Sequence, residues 1–362
     1  MKKQLLKHVV TLFFLSVLLF GMLTFPISAN DNFSLSLLNT QNDGGRYYGV
    51  WGDGDFIYTA CYSDGIRAYS FNGNSFSLLD SHHDGGRYYG VWGDGTYIYT
   101  VCNTNGIYAY SFNGNAFSLL DTIVDVDQYH GVWGDGDFVF TSNGIYGIHA
   151  YHFNGSRFRL VESRYDGGSY NGIWGDGDFI YAAGTFGLHA YRFNGSSFRL
   201  IDSVHDGGWY ESVWSRGTDP RVKAPLVYVA CGDEGLKAYS FSNNSFRLLD
   251  NLSDGGFYSD VYSDGYYTYT ACVYEGLRAY VFDGSSFSLL DTATDKDAYL
   301  GVWGDGTYLY AVCDLSGLCA YRFSGGEGNG SDGDGANGTS GFEVLLVLTA
   351  VFFIIFYSKR KK

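Results

Sequence analysis

Residues 84–121 read DGGRYYGVWGDGTYIYTVCNTNGIYAYSFNGNAFSLLD. Four short runs rich in Tyr, Ile and Phe alternate with glycine-bearing turns. Residues 88–92 predict a first strand, A, and Gly93-Asp94-Gly95 supplies a tight turn that accepts positive φ. Residues 97–102 predict strand B, 107–112 strand C and 117–120 strand D, with Gly106 and Asn113-Gly114 at the intervening turns. Aromatic and β-branched side chains suit such pleated, half-buried surfaces.

This stretch is one of seven. Trp51, Trp92, Trp133 and Trp174 recur every 41 residues, and Trp214, Tyr262 and Trp303 follow after 40, 48 and 41. Four antiparallel strands in roughly 40–45 residues is the period of a β-propeller blade. Residues 33–38 form a lone D-type strand, and the last unit ends after its C strand at Phe323. The N-terminal strand is therefore expected to complete the last blade, closing the ring and removing free sheet edges. The fold class read from residues 30–323 is all-β: a seven-bladed propeller of four-stranded antiparallel blades.

Composition agrees. Gly (51) and Tyr (33) are abundant, Pro is rare (3), and only 17% of residues are charged, which does not suit a helical protein. The formal charge is −15, and the basic residues Lys2, Lys3, Lys7, Lys359, Arg360, Lys361 and Lys362 all lie at the ends. The middle is thus more acidic still, which argues against nucleic acid as a partner.

The ends read as addresses. Residues 1–29 carry a basic start, an apolar run and a small residue, Ala29, as expected of a signal peptide. Residues 324–341 are a Gly/Asp/Asn/Ser linker that offers no core. Residues 342–362 hold an apolar run and a basic tail, a transmembrane or sorting segment that would leave the folded part outside. Linker, apolar run and basic tail together resemble the C-terminal sorting signals of archaeal surface proteins, with Ser340-Gly341-Phe342 at the recognition step. The localisation expected is an exported, membrane-anchored protein on the cell surface.

Gly106-Ile107-Tyr108-Ala109-Tyr110-Ser111-Phe112, Phe117-Ser118-Leu119-Leu120-Asp121, Gly131-Val132-Trp133 and Phe138-Val139-Phe140 resemble the LVIVD-repeat propellers. The resemblance covers residues 33–323 and implies a propeller displayed at the surface. It transfers no functional residue, and the Val-Ile-Val-Asp core of that family is replaced here by Ala-Tyr-x-Phe-Asn.

Positions that break the repeat point to function. After a recurring Tyr at the start of each A strand comes a varying residue: Tyr48, Tyr89, His130, Asn171, Glu211, Ser259 and Leu300. Tyr48, Tyr89, His130, Asn171 and Glu211 are candidate ligand-binding residues at the channel mouth, with Trp209 on a neighbouring loop. His130, Asn171, Glu211 and Asp260 are of types that bind a divalent cation. Strand alternation turns Asp260 away from Glu211's face.

Acidic residues Asp43, Asp84, Asp125/Asp127, Asp166, Asp206, Asp254 and Asp295/Asp297 read as turn formers, or as a cation-binding ring. Cys313 and Cys319 flank one hairpin and are a disulfide candidate. Cys61, Cys102, Cys231 and Cys272 occupy equivalent sites too far apart to pair. The insertion 216–225 reads as a docking loop or a tolerated lengthening. Glycosylation acceptor patterns occur at Asn32, Asn154, Asn194, Asn243, Asn251, Asn329 and Asn337.

No nucleophile–base pair or metal motif appears. The sequence therefore favours a binding or structural scaffold for a surface protein or glycan over the alternative, a metal-assisted hydrolase or lyase at the channel mouth. No cofactor is expected; a divalent cation is possible.

Overall fold

The computed structural model describes residues 33–324 apart from 104, 126 and 127. The signal peptide, the linker beyond Ser324, the C-terminal segment, Asp127, Asn32, Asn329 and Asn337 lie outside the described residues. No helix among the described residues is long and apolar enough to cross a membrane.

Seven four-stranded antiparallel sheets form the fold. Blade two shows the pattern: Tyr88–Gly93, Ile98–Cys102, Gly106–Phe112 and Phe117–Ile123 run from axis to rim. In blade seven the outermost strand is Ser34–Gln41, paired with Gly317–Ser324. The chain's beginning thus completes the blade made by the chain's end, as the lone first strand predicts. The innermost strands adjoin in sequence order, and Gly49–Gly52 of blade one adjoins Tyr299–Gly304 of blade seven.

The tight A–B turns are built by aspartate. In blade two the Asp94 carboxylate accepts the N–H groups of Thr96 and Tyr97 at 2.8 Å and the Tyr99 hydroxyl at 3.0 Å. Such Asx turns satisfy backbone donors that a two-residue loop leaves open. Gly95 follows at φ 85°, which an L side chain resists.

Between blades the core is aromatic. Tyr99 stacks on Trp92 of its own blade at 5.9 Å and receives the Phe153 and Phe158 rings of the next blade at 5.7 and 6.0 Å. Tilted and edge-on rings at these distances add to plain area burial.

Two polar devices repeat round the ring. In every blade a tyrosine at or just before the start of strand A and a strand C tyrosine share a buried O–H···O bond of 2.7–3.3 Å. Each pair donates to the aspartate that opens the blade: Asp43, Asp84, Asp125, Asp166, Asp206, Asp254 or Asp295. These acids thus cap buried hydroxyls, a role beyond turn formation, and burial pushes the tyrosines above their ordinary range.

The second device joins neighbours. The carboxylate ending each D strand accepts the N–H that starts the next blade's D strand: Asp80 from Phe117, Asp121 from Phe158, Asp202 from Phe246, Asp250 from Phe287 and Asp291 from Leu35, at 2.6–2.8 Å. Glu162 does the same for Phe198. In the closing strand this position is Asn39, opposite Ala320 just as Asp80 is opposite Ala68. A bulge precedes each such residue, which twists the rim strand away from edge-to-edge pairing.

Candidate functional site

At the axis the A-strand tryptophans meet. Rings of Trp51, Trp92, Trp133, Trp174 and Trp214 follow one another at 6.2–6.5 Å. Tyr262 and Trp303 complete the circuit, 5.0 Å from each other, and Trp174 reaches Trp303 at 6.0 Å. Glycine makes room for this. A Cβ on Gly93, Gly134 or Gly175 would lie 2.3–2.6 Å from the preceding blade's indole. The aromatic circuit closes the channel at the axis.

Above this floor lies a cavity of about 210 Å³. Its mouth is lined by Tyr48, Tyr89, His130, Asn171 and Glu211, with Ser259, Asp260 and Leu300. The structure therefore brings together the sequence-derived candidates, Trp209 excepted.

The mouth has two unlike halves. In blades one and two, Tyr48 packs on Tyr89 at 4.9 Å and on Tyr62 at 5.2 Å, and Tyr89 meets the His130 ring edge-on at 5.7 Å. Arg46 lies over Tyr48 at 5.5 Å and is tied to Asp314; Arg87 lies over Tyr62 at 5.2 Å. In blades four and five, Asn171 Nδ2 donates to Glu211 Oε2 at 3.1 Å. Burial raises the Glu211 carboxyl above its ordinary range, against the Asn171 bond, and lowers His130, which favours a neutral ring.

Asp260 lines the cavity, but its carboxylate bridges blades. It accepts from the Ser212 hydroxyl at 2.6 Å, from Val261 N–H at 2.9 Å and from Val302 N–H at 2.9 Å. Burial still raises it to about 6. Ser259 donates to backbone carbonyls of Ala271 or Tyr299. Among the described residues no group of three or more His, Cys, Asp or Glu side chains is placed to hold a metal ion.

The loop face around the mouth carries a second feature. Val124, Ile145, Tyr146, Tyr165, Phe186 and Trp209 are exposed on successive D–A and B–C loops over blades three to five. Trp209 is 65% exposed, a large apolar surface left in water. Among the described residues the opposite face offers one large exposed ring, Tyr266. Sequence reading found Trp209 because it breaks the repeat; the others sit in loops whose exposure only the assembled face decides.

The insertion is a brace. Arg216 donates to the Asp264 carbonyl, and Arg221 to those of Phe282 and Gly265 as well as to Asp219, so both guanidinium groups are engaged with blade six. Asn154 and Asn194 stand in C–D turns on the opposite face, each using its Oδ1 to accept turn N–H groups. Asn243 holds φ 53° in a third such turn, and Asn251 lies on the rim strand Ser245–Leu252.

All six cysteines are buried free thiols. Cys61, Cys231 and Cys272 neighbour the cations Arg67, Lys237 and Arg278, yet burial raises the Cys61 and Cys272 thiols to about 11. In blade seven Cys319 takes the cation's strand position, and its Sγ lies 3.6 Å from Cys313 Sγ.

No family model and no curated protein matches the chain. Among solved structures, the crystal structure of the computationally designed Ika8 protein is similar, with a TM-score of 0.58 and 8% identity over 80% of this chain and 100% of that one. At this identity the likeness bears on the fold alone, and it agrees with the all-β propeller described above.

Proposed function

We propose that this protein is a binding scaffold: a surface-displayed propeller, akin to the LVIVD-repeat proteins, whose loop face engages a surface protein or glycan. The observation that supports this reading is the set of exposed apolar side chains on the D–A and B–C loops, over blades three to five and, with Tyr274 and Leu315, over blades six and seven. Large apolar side chains gathered on one face of a protein mark a surface that a partner covers. Aromatic residues ringed by polar loops are the composition of recognition surfaces. The acceptor asparagines Asn154, Asn194 and Asn243 lie on the other face, where attached glycans would not obstruct docking. Export and a C-terminal anchor, read from the sequence, would place the propeller at the cell envelope.

The test uses the full-length chain immobilised against cell-envelope extract, untreated, protease-treated or glycosidase-treated. Trp209→Ala with Phe186→Ala and Tyr146→Ala is expected to lower retention at least about tenfold, since interface anchors each carry about 1–2 kcal/mol or more. Tyr266→Ala, on the opposite face, is the control and should retain the partner. Protease or glycosidase sensitivity assigns its class. Equal retention by the triple variant would remove the reading.

A further inference from the structure

We propose that the channel mouth is a receptor for an organic cation, a primary ammonium or guanidinium with an apolar stem, seated between Tyr89 and Glu211. This rests on the reading of the loop face as a binding surface and names the chemistry its centre selects.

The argument starts from shape. The cavity is closed below by the tryptophan circuit, so whatever enters comes from the loop face and stops at an aromatic floor. An apolar stem fits that floor. Tyr89 and Glu211 belong to blades two and five, three steps apart in a ring of seven, so they stand on opposite sides of the mouth.

Charge comes next. Glu211 is half-buried, and its hydrogen-bond partner is a neutral amide. No ion pair among the described residues includes it, and the mouth imidazole, His130, is held towards neutrality by burial. Removing a carboxylate from water is unfavourable unless a cation or several donors replace the lost solvation. The groups facing it leave that role to a ligand.

The opposite wall already shows the matching chemistry. Arg46 and Arg87 each place a guanidinium 5.2–5.8 Å from tyrosine ring centroids at its outer edge. Tyrosine faces attract cations through the ring quadrupole. The chain's formal charge of −15 creates a field that favours the approach of cations over anions at low salt. A neutral polyol would gain from Asn171 and Glu211 but not from this field.

The test is calorimetric titration of the full-length chain at low salt, with indole fluorescence of the channel floor as a second readout. The probes are n-butylammonium chloride and Nα-acetyl-lysine methylamide, against 1-butanol and Nα-acetyl-norleucine methylamide. The charged probes should bind at least about tenfold tighter than their neutral partners, a difference of about 1.4 kcal/mol. Glu211→Gln should erase that preference by weakening the charged probes to the level of their neutral partners, and Tyr89→Ala should weaken the charged probes about threefold or more. Binding of the lysine derivative but not of butylammonium would mark a partner's side chain as the source; binding of both would mark free amines as well.

Equal binding of charged and neutral probes, or an unaltered preference in a folded Glu211→Gln variant, would overturn the proposal. So would the absence of any saturable signal with wild-type protein. If the Trp209 triple variant loses its envelope partner while amine binding fails in the wild type, the docking face stands and only the cation site falls.

Discussion

Two neighbouring positions on each innermost strand behave in opposite ways. The first is Tyr in all seven blades, from Tyr47 to Tyr299; the next is Tyr, Tyr, His, Asn, Glu, Ser and Leu in turn. A break in the pairing explains the split: the second residue is a bulge in blades two, four, six and seven, and in the other three the regular strand begins only after it. The first side chain points into the blade, where one hydroxyl must meet a second tyrosine and an aspartate, and one solution serves seven times. The second points into the channel, where each blade meets different neighbours and a cavity rather than a packed wall. The framework is repetitive because its hydrogen bonds close within the blade; the mouth is irregular because nothing in the blade requires otherwise.

The comparison can be broken most strongly at Asp254. It accepts from Tyr280 and pairs with the buried Arg278 at 2.6 Å. Asp254→Ala should destabilise the fold by about 3–5 kcal/mol by stranding that cation and two hydroxyls. Glu211→Gln should stay within about 1 kcal/mol, as neither fold device uses it. Urea unfolding checks both, and equal losses would erase the distinction between framework and mouth.

The rim latches are a weaker framework element. Asp121→Ala should lose about 1.5–3 kcal/mol, because Phe158 N–H is left without its charged acceptor. The closing strand offers the converse experiment: Asn39→Asp should add a latch to blade one and gain about 1 kcal/mol. A loss from Asn39→Asp would show that the junction of blade seven with blade one is built differently from the other six.

Blade seven differs from its sisters in one further respect. Under an oxidising glutathione buffer, Cys313 and Cys319 should pass two electrons and two protons to the oxidant and form a disulfide. Intact mass should fall by about 2 Da, with four thiols left for alkylation after unfolding, and stability should rise by about 2 kcal/mol. Six alkylated thiols after that treatment would refute the pairing.

The smallest effect lies in pH dependence. Asp260 is raised to about 6, above its value of about 3.9 in an unfolded chain. Its buried protonated form therefore contributes stability that is complete below about pH 4 and is lost as pH rises through about 6. Asp260→Asn lacks this term, so its melting temperature should gain on the wild type between pH 4 and 7. Parallel melting curves would show that the three donors around Asp260 keep it ionised throughout.

Much of this was legible beforehand. The spacing of Trp51 through Trp303 gave the blade count, and the lone strand at 33–38 gave the closure, because a blade is a local unit whose turns and strands are written within about 40 residues. The mouth positions were legible as well, since Tyr48, His130, Asn171 and Glu211 depart from the repeat at one register. The rim latches were not. Asp121 reads as the end of a strand, and its partner Phe158 lies 37 residues away on another blade. The engagement of Arg216 and Arg221 with blade six was equally hidden, because it depends on which carbonyls the neighbouring turn presents.

The sequence by itself determined the unit, its number and the way its ends meet, since periodicity, turn chemistry and alternation are properties of short stretches of chain. Only the tertiary structure decided that the tryptophans close the axis, that the opening aspartates cap tyrosine pairs, and that apolar loop residues share one face. Those facts depend on what seven separate blades place side by side, and burial, hydrogen-bond partnership and exposure exist only once the ring has closed.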